Sequence, residues 1–275
     1  MRIEPKTTFA EVLATSIVGI CVLLPACALA EQAPNDDWQW RATIYGYLPT
    51  ISGSTVFPGA GSSIDVNANQ IISNLKMTFM GALEAQKGSW GAFTDVLYLD
   101  VGGSKSSTRD LAIAGQPLPG GITANASLDV KGLIWTLAGN YRALATPQAN
   151  IDVFAGARLL DLKETLGWAF SADVGSFVGP ARQGSSETKL DNWDGIVGIK
   201  GQVRFGAEHK WFLPYYVDVG AGNSQLTWQA ILGAGYSFSW GEVIVAWRSL
   251  DYDFSSAPIK SLRLSGPAFG AAFRW

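Results

Sequence analysis

Between residues 226 and 240 the chain reads LTWQAILGAGYSFSW. The even positions are Leu226, Trp228, Ala230, Leu232, Ala234, Tyr236, Phe238 and Trp240; the odd ones are Thr227, Gln229, Ile231, Gly233, Gly235, Ser237 and Ser239. A period of two marks a strand whose two faces meet different surroundings. Here the apolar face runs unbroken, with aromatics near both ends and aliphatics between. Strands of soluble sandwiches average about 5–6 residues. A tilted strand crossing a bilayer needs about 9–11, flanked by interfacial aromatics. Lipid accounts for this face better than a water-soluble core does.

The same alternation recurs along the chain. WQWRATIYGYL turns Trp38, Trp40, Ala42, Ile44 and Leu48 outward and Arg41, Thr43, Tyr45 and Tyr47 inward. MTFMGALEAQ turns Met77, Phe79 and Leu83 out and Glu84 in. NIDVFAGARLL, DNWDGIVGIKGQVRF and KWFLPYYVDVGA follow the same rule, with Asp152, Arg158, Asp194, Lys200, Arg204 and Asp218 on the inner phase. WGAFTDVLYLDV, LIWTLAGNYRAL, GEVIVAWRSLDYDF and the terminal SGPAFGAAFRW bring the count to about ten. Short connections (KGSWG, ATPQAN, FGAEHK, SWGE) alternate with longer ones at 49–74, 104–123 and 170–188.

In hydrocarbon every backbone N–H and C=O needs a partner, so strands can cross only as a closed sheet. The expected fold is all-β: a closed antiparallel transmembrane barrel of about ten strands. Counts of eight and twelve stay open, because GSTVFPGAGSSIDV reads as an additional small hairpin. NANQIISNLK spaces Ile71, Ile72 and Leu75 in near-helical fashion, which predicts a short helix over 67–76 in the first long connection.

The chain opens with Arg2 and Lys6, then the apolar run VLATSIVGICVLLPACALA ending in Ala28-Leu29-Ala30. This pattern predicts a signal peptide over residues 1–30, cut before Glu31, and one barrel domain over 31–275. LPAC at 24–27 is a poor lipoprotein box because of Pro25. Both cysteines, Cys21 and Cys27, lie inside the leader, so the exported chain has no thiol for a disulfide, a metal or catalysis. A net charge of −3 leaves no basic footprint for nucleic acid.

WRATIYGYLPTISGS, FMGALEAQKGSWGAFTDVLYLDV, DVGAGNSQLTWQAILGAGYSFSW, WRSLDYDF and SGPAFGAAFRW together resemble a widespread group of uncharacterised proteobacterial outer-membrane β-barrel proteins. The likeness to OmpA-like and OmpW-like barrels is one of architecture only. The resemblance covers essentially the whole exported chain and implies location in the outer membrane of a Gram-negative bacterium; it carries no activity and no functional residue. Phe269, Phe273 and Trp275 also resemble the terminal signal by which such barrels are recognised for insertion, which implies the barrel-assembly machinery as a partner alongside outer-membrane lipid.

Charge facing hydrocarbon costs a few kcal/mol per group at midplane, which assigns Arg41, Arg142, Arg158, Lys200, Arg204, Arg248 and Arg274 to the lumen together with Glu84, Asp95, Asp152, Asp194 and Asp218. Arg158, Arg204 and Arg248 are expected to find partners among Glu84, Asp95, Asp194 and Asp218. The favoured function is a structural or surface-binding barrel whose narrow lumen is filled by ion pairs, with 104–123 and 170–188 meeting ligands. A narrow gated pore for small solutes or ions is the alternative. A hydrolase is more distant: it would need His209, the one histidine, which falls in a turn. No enzyme activity is expected. No cofactor or metal site is expected either, since no His/Cys cluster has ligand spacing.

Overall fold

The computed structural model describes residues 37–57, 60–66, 75–107, 112–113, 116–117, 122–174, 177–178, 182–254 and 259–275. Ten strands form the barrel: β1 (Gln39–Tyr47), β2 (Leu75–Lys87), β3 (Trp90–Ser107), β4 (Ile122–Ala145), β5 (Ala149–Val174), β6 (Arg182–Phe205), β7 (Trp211–Gly222), β8 (Leu226–Ser237), β9 (Glu242–Asp253) and β10 (Ile259–Arg274). Each is antiparallel to its neighbours, and β1 closes the sheet by pairing with both β2 and β10. At the seam Trp40 N–H donates to the Trp275 oxygen at 2.8 Å and Trp275 N–H to the Trp40 oxygen at 3.2 Å. The last residue is thus a rung of the ladder, and its aromatic side chain faces out beside Phe273.

The segment after β1 is a hairpin, Thr50–Phe57 with Ala60–Val66. Leu48 N–H donates to the Pro267 carbonyl at 3.0 Å, and Thr50 resumes pairing with β10 at Ser265. The hairpin therefore adds to β10 where β1 leaves it and is not part of the barrel wall. Most of the expected 67–76 helix lies outside the described residues; Leu75 and Lys76 begin β2, and among the described residues there is no helix. The signal peptide expected over 1–30 also lies outside them.

The outer face carries Ile44, Phe79, Leu83, Val153, Val197, Ile199, Leu213, Val217, Leu232, Val245 and Phe269, all exposed. A continuous apolar surface of this kind is stable against lipid, not water. At the short-turn end Trp211, Tyr236, Phe238, Trp240 and Phe273 form an unbroken chain of ring contacts, and Trp38 stacks on Trp40. Trp90 packs on Tyr141 at the same end. This is an interfacial aromatic belt.

Four strands are much longer than a bilayer requires. The 26 residues of β5, at ~3.3 Å each and a tilt near 40°, rise about 65 Å against an apolar band of about 25 Å. The flanks of the long connections expected at 104–123 and 170–188 are therefore strand: β3 runs to Ser107, β4 begins at Ile122, β5 ends at Val174 and β6 begins at Arg182.

Where these walls leave the bilayer, their polarity inverts. On β5 the inner phase reads Asp152, Phe154, Arg158 and then Leu160 and Leu162, both buried, while the outer phase passes from Val153 to Asp161 and Lys163. On β9 the inner Arg248 is followed by buried Leu250 and Tyr252, and the outer Trp247 by Asp251 and Asp253. Inside the bilayer the greasy face belongs outside. Beyond it water lies outside, and the greasy face turns in to make an ordinary hydrophobic core.

Candidate functional site

The interior has three layers, stacked in the order in which residues occur along each strand. Nearest the short turns is a cavity of ≈ 730 Å³ whose walls come from all ten strands. One charge network runs through it. Lys200 Nζ donates to Glu84 Oε2 at 2.6 Å, and Arg41 joins Glu84 Oε1 at 3.0 Å to Glu242 Oε2 at 3.3 Å. Glu242 also accepts from Arg204 Nη2 at 3.0 Å and, through Oε2, from Arg274 Nη2 at 3.0 Å. Arg142 holds Asp152 through two parallel bonds of 2.8 and 3.1 Å.

The middle layer contains two deeply buried pairs. The Arg158 side chain is fully buried and ion-pairs with Asp218; its Nε donates to Thr136 Oγ1 at 3.3 Å, and Tyr216 O–H donates to Asp218 Oδ2 at 2.6 Å. Arg248 donates to Asp95 at 2.8 Å, to Gln229 at 2.8 Å and to the Tyr45 hydroxyl at 2.8 Å; Tyr45 in turn donates to Asp95 at 2.6 Å. Phe93, Phe154 and Tyr216 pack into an aromatic wall beside these groups. Room for it depends on Gly198, where a Cβ would lie 2.6 Å from Phe154 Cζ and 2.2 Å from the Val217 carbonyl oxygen.

Above the charges lies a packed apolar layer: Tyr47, Met80, Leu97, Leu99, Ile134, Leu160, Leu162, Leu250, Tyr252, Phe254, Leu262 and Leu264. Leu250 and Tyr252 are 0% exposed, Leu160 1% and Leu97 2%.

The structure places all twelve sequence-assigned charges on the inner phase, but it groups them differently from the expectation. Arg158 meets Asp218 and Arg248 meets Asp95. Arg204 instead binds Glu242. Among the described residues Asp194 pairs with no arginine; it accepts from Asn192 Nδ2 at 2.6 Å and Ser224 N–H at 3.0 Å, capping the turn after β7. Glu242 was absent from the expected set because it sits where SWGE reads as a connection. Its parity with Arg248 was the available signal. Phe269, Phe273 and Trp275 stand on the outer face, exposed.

Because Glu242 also holds Arg41 and Arg274, removing Arg204 leaves no carboxylate unpaired. Arg204→Ala should therefore cost about 1 kcal/mol, seen as a small drop in the urea midpoint of unfolding from lipid vesicles. A loss of several kcal/mol would mean that Arg204 alone neutralises Glu242.

His209 lies in the exposed turn after β6, with φ 52°. Its N–H donates to the Gly206 carbonyl at 3.1 Å, and its own carbonyl accepts from Arg204 Nη1 at 3.2 Å. The neighbouring Glu208 and Lys210 pair with each other, and the hydrogen bond from Lys210 holds the Glu208 carboxyl below its ordinary range. Among the described residues no hydrogen bond links the imidazole to a serine or a carboxylate, and no cluster of His, Asp or Glu is arranged to hold a metal.

No protein-family model and no curated protein matches this chain. Solved structures do. The outer membrane protease OmpT from Escherichia coli is 13% identical, covering 90% of this chain and 99% of its own, with a TM-score of 0.57. The translocator domain of the autotransporter NalP from Neisseria meningitidis is 14% identical over 97% and 96% of the two chains, with a TM-score of 0.41. Ail, the attachment invasion locus protein of Yersinia pestis, is 10% identical over 86% and 98%, with a TM-score of 0.31. The OmpT likeness shows the fold, a barrel of the outer-membrane type. At this identity it carries no activity across, since one fold serves many functions.

Proposed function

We propose that this protein is an integral outer-membrane barrel closed to solutes, and that it acts as a structural and surface-binding element through the walls that β3–β6 raise above the bilayer. One observation carries the reading: the lumen is capped by the apolar layer around Leu160, Leu250 and Tyr252, directly above the Arg158 and Arg248 pairs. Hydrocarbon packed over buried ion pairs opposes ion passage twice, by excluding volume and by withholding hydration. The protein reconstituted in planar bilayers should show no single-channel conductance. Reproducible unitary currents would replace this reading with the second one, a narrow gated pore. What favours that second reading is the cavity, which hollows out the half of the lumen nearest the short turns.

The proposed orientation puts the short turns in the periplasm. Residues 31–275 contain no cysteine, so Glu208→Cys and Ser185→Cys report on opposite ends of the barrel. In intact cells a membrane-impermeant maleimide should label Ser185→Cys and leave Glu208→Cys untouched. The reverse pattern would invert the topology.

A further inference from the structure

The cavity's charges do not balance. Arg142 with Asp152 and Arg248 with Asp95 are one-to-one pairs. The remaining network sets four cations, Arg41, Lys200, Arg204 and Arg274, against two carboxylates, Glu84 and Glu242. Glu242 is nearly inaccessible, with its side chain 4% exposed, whereas that of Arg274 is 45% exposed and that of Arg41 22%. The carboxylate therefore lies behind the guanidiniums, which present their remaining donors to the cavity. Arg41 Nε is buried and has no hydrogen-bond partner among the described residues. Ile231, Ile244 and Ala246 supply an apolar wall on the same cavity.

We propose that this cavity is a binding site for a small organic anion bearing two negative charges, a dicarboxylate or a phosphomonoester with an apolar body, which enters from the short-turn end. Guanidinium groups bind both anion types through paired, charge-assisted hydrogen bonds. Confined positive charge between low-dielectric walls strengthens the attraction and raises the local anion concentration. The ≈ 730 Å³ volume falls within the range of ligand pockets, about 300–1,000 Å³. The apolar cap above makes the site a blind pocket rather than a stretch of channel. The inference goes beyond the closed-barrel reading and uses only the lower lumen, so equilibrium binding tests it while conductance tests the other.

The experiment is calorimetric titration of the refolded protein in a zwitterionic detergent with phthalate and with phenyl phosphate, and with phthalamide as the uncharged counterpart. Saturable binding of either anion, absent for the diamide and weakened by salt, is the expected result; which anion binds more tightly separates the carboxylate from the phosphate source. Arg274→Gln should weaken binding at least tenfold, with Lys200→Met as the second variant should the first fail to fold. Glu84→Gln removes one negative charge from the cavity and should tighten binding. Arg263→Gln, which removes an ion pair with Asp251 on the outer wall, should change nothing. No saturable binding of either anion, or equal affinity across Arg274→Gln, Glu84→Gln and the unaltered protein, would overturn the site.

Discussion

Arg158→Ala should destabilise the barrel by about 3–5 kcal/mol, the largest loss expected from any single charge in the lumen. The mutation strands Asp218, which is 2% exposed, with no other ion-pair partner among the described residues. Tyr216 continues to donate one hydrogen bond, but a hydroxyl does not replace a guanidinium. Asp218 Oδ1 is already without a partner among the described residues. The measurement is the urea midpoint of reversible unfolding from lipid vesicles. Replacing both partners, as in Arg158→Met with Asp218→Leu, should recover most of the loss, because two apolar side chains remove the desolvation penalty that the ion pair carries. If the double variant is as unstable as the single one, the penalty comes from lost packing against Thr136 and Thr227, not from an orphaned charge.

The second large effect concerns permeability. Leu97, Leu160 and Leu250 meet in the apolar layer from three different strands. On the closed-barrel proposal, changing all three to serine should give measurable unitary conductance where the unaltered protein shows none. The substitution removes three bulky side chains and lines the resulting gap with hydroxyls, which allow water to enter where an apolar cavity would stay dry. Cavity formation at buried leucine costs about 2–5 kcal/mol per site, so the folded state must be verified by circular dichroism and protease resistance before currents are read. A folded triple variant that remains silent would locate the closure in the Arg158 and Arg248 layer beneath.

The barrel itself was legible in the sequence because alternation is local: each residue's face is decided by its immediate neighbours, and a charge one step from Trp247 or Val203 has only the lumen to occupy. The terminal Phe273 and Trp275 could be assigned to the lipid-facing side on the same ground. The inversion of polarity beyond the bilayer was written there too, in RLLDLK at 158–163 and RSLDYD at 248–253, where inner and outer phases exchange character. It went unread because a rule that sends every apolar face to lipid holds only inside hydrocarbon. Consequently Leu160, Leu162, Leu250 and Tyr252, which cap the lumen, were not among the expected interior residues.

Which charges meet was beyond the reach of any local rule. Arg158 and Asp218 are 60 residues apart, Arg248 and Asp95 153, and Arg41 and Glu242 201. Parity sets the face of a strand, but partners are chosen by register and by the offset accumulated in closing ten strands into a ring. That offset brings Glu242 between Arg41, Arg204 and Arg274 and leaves Asp194 to a turn. The sequence alone determined that the charges would be inside; only the closed sheet decided which of them are neutralised and which are left to face the cavity.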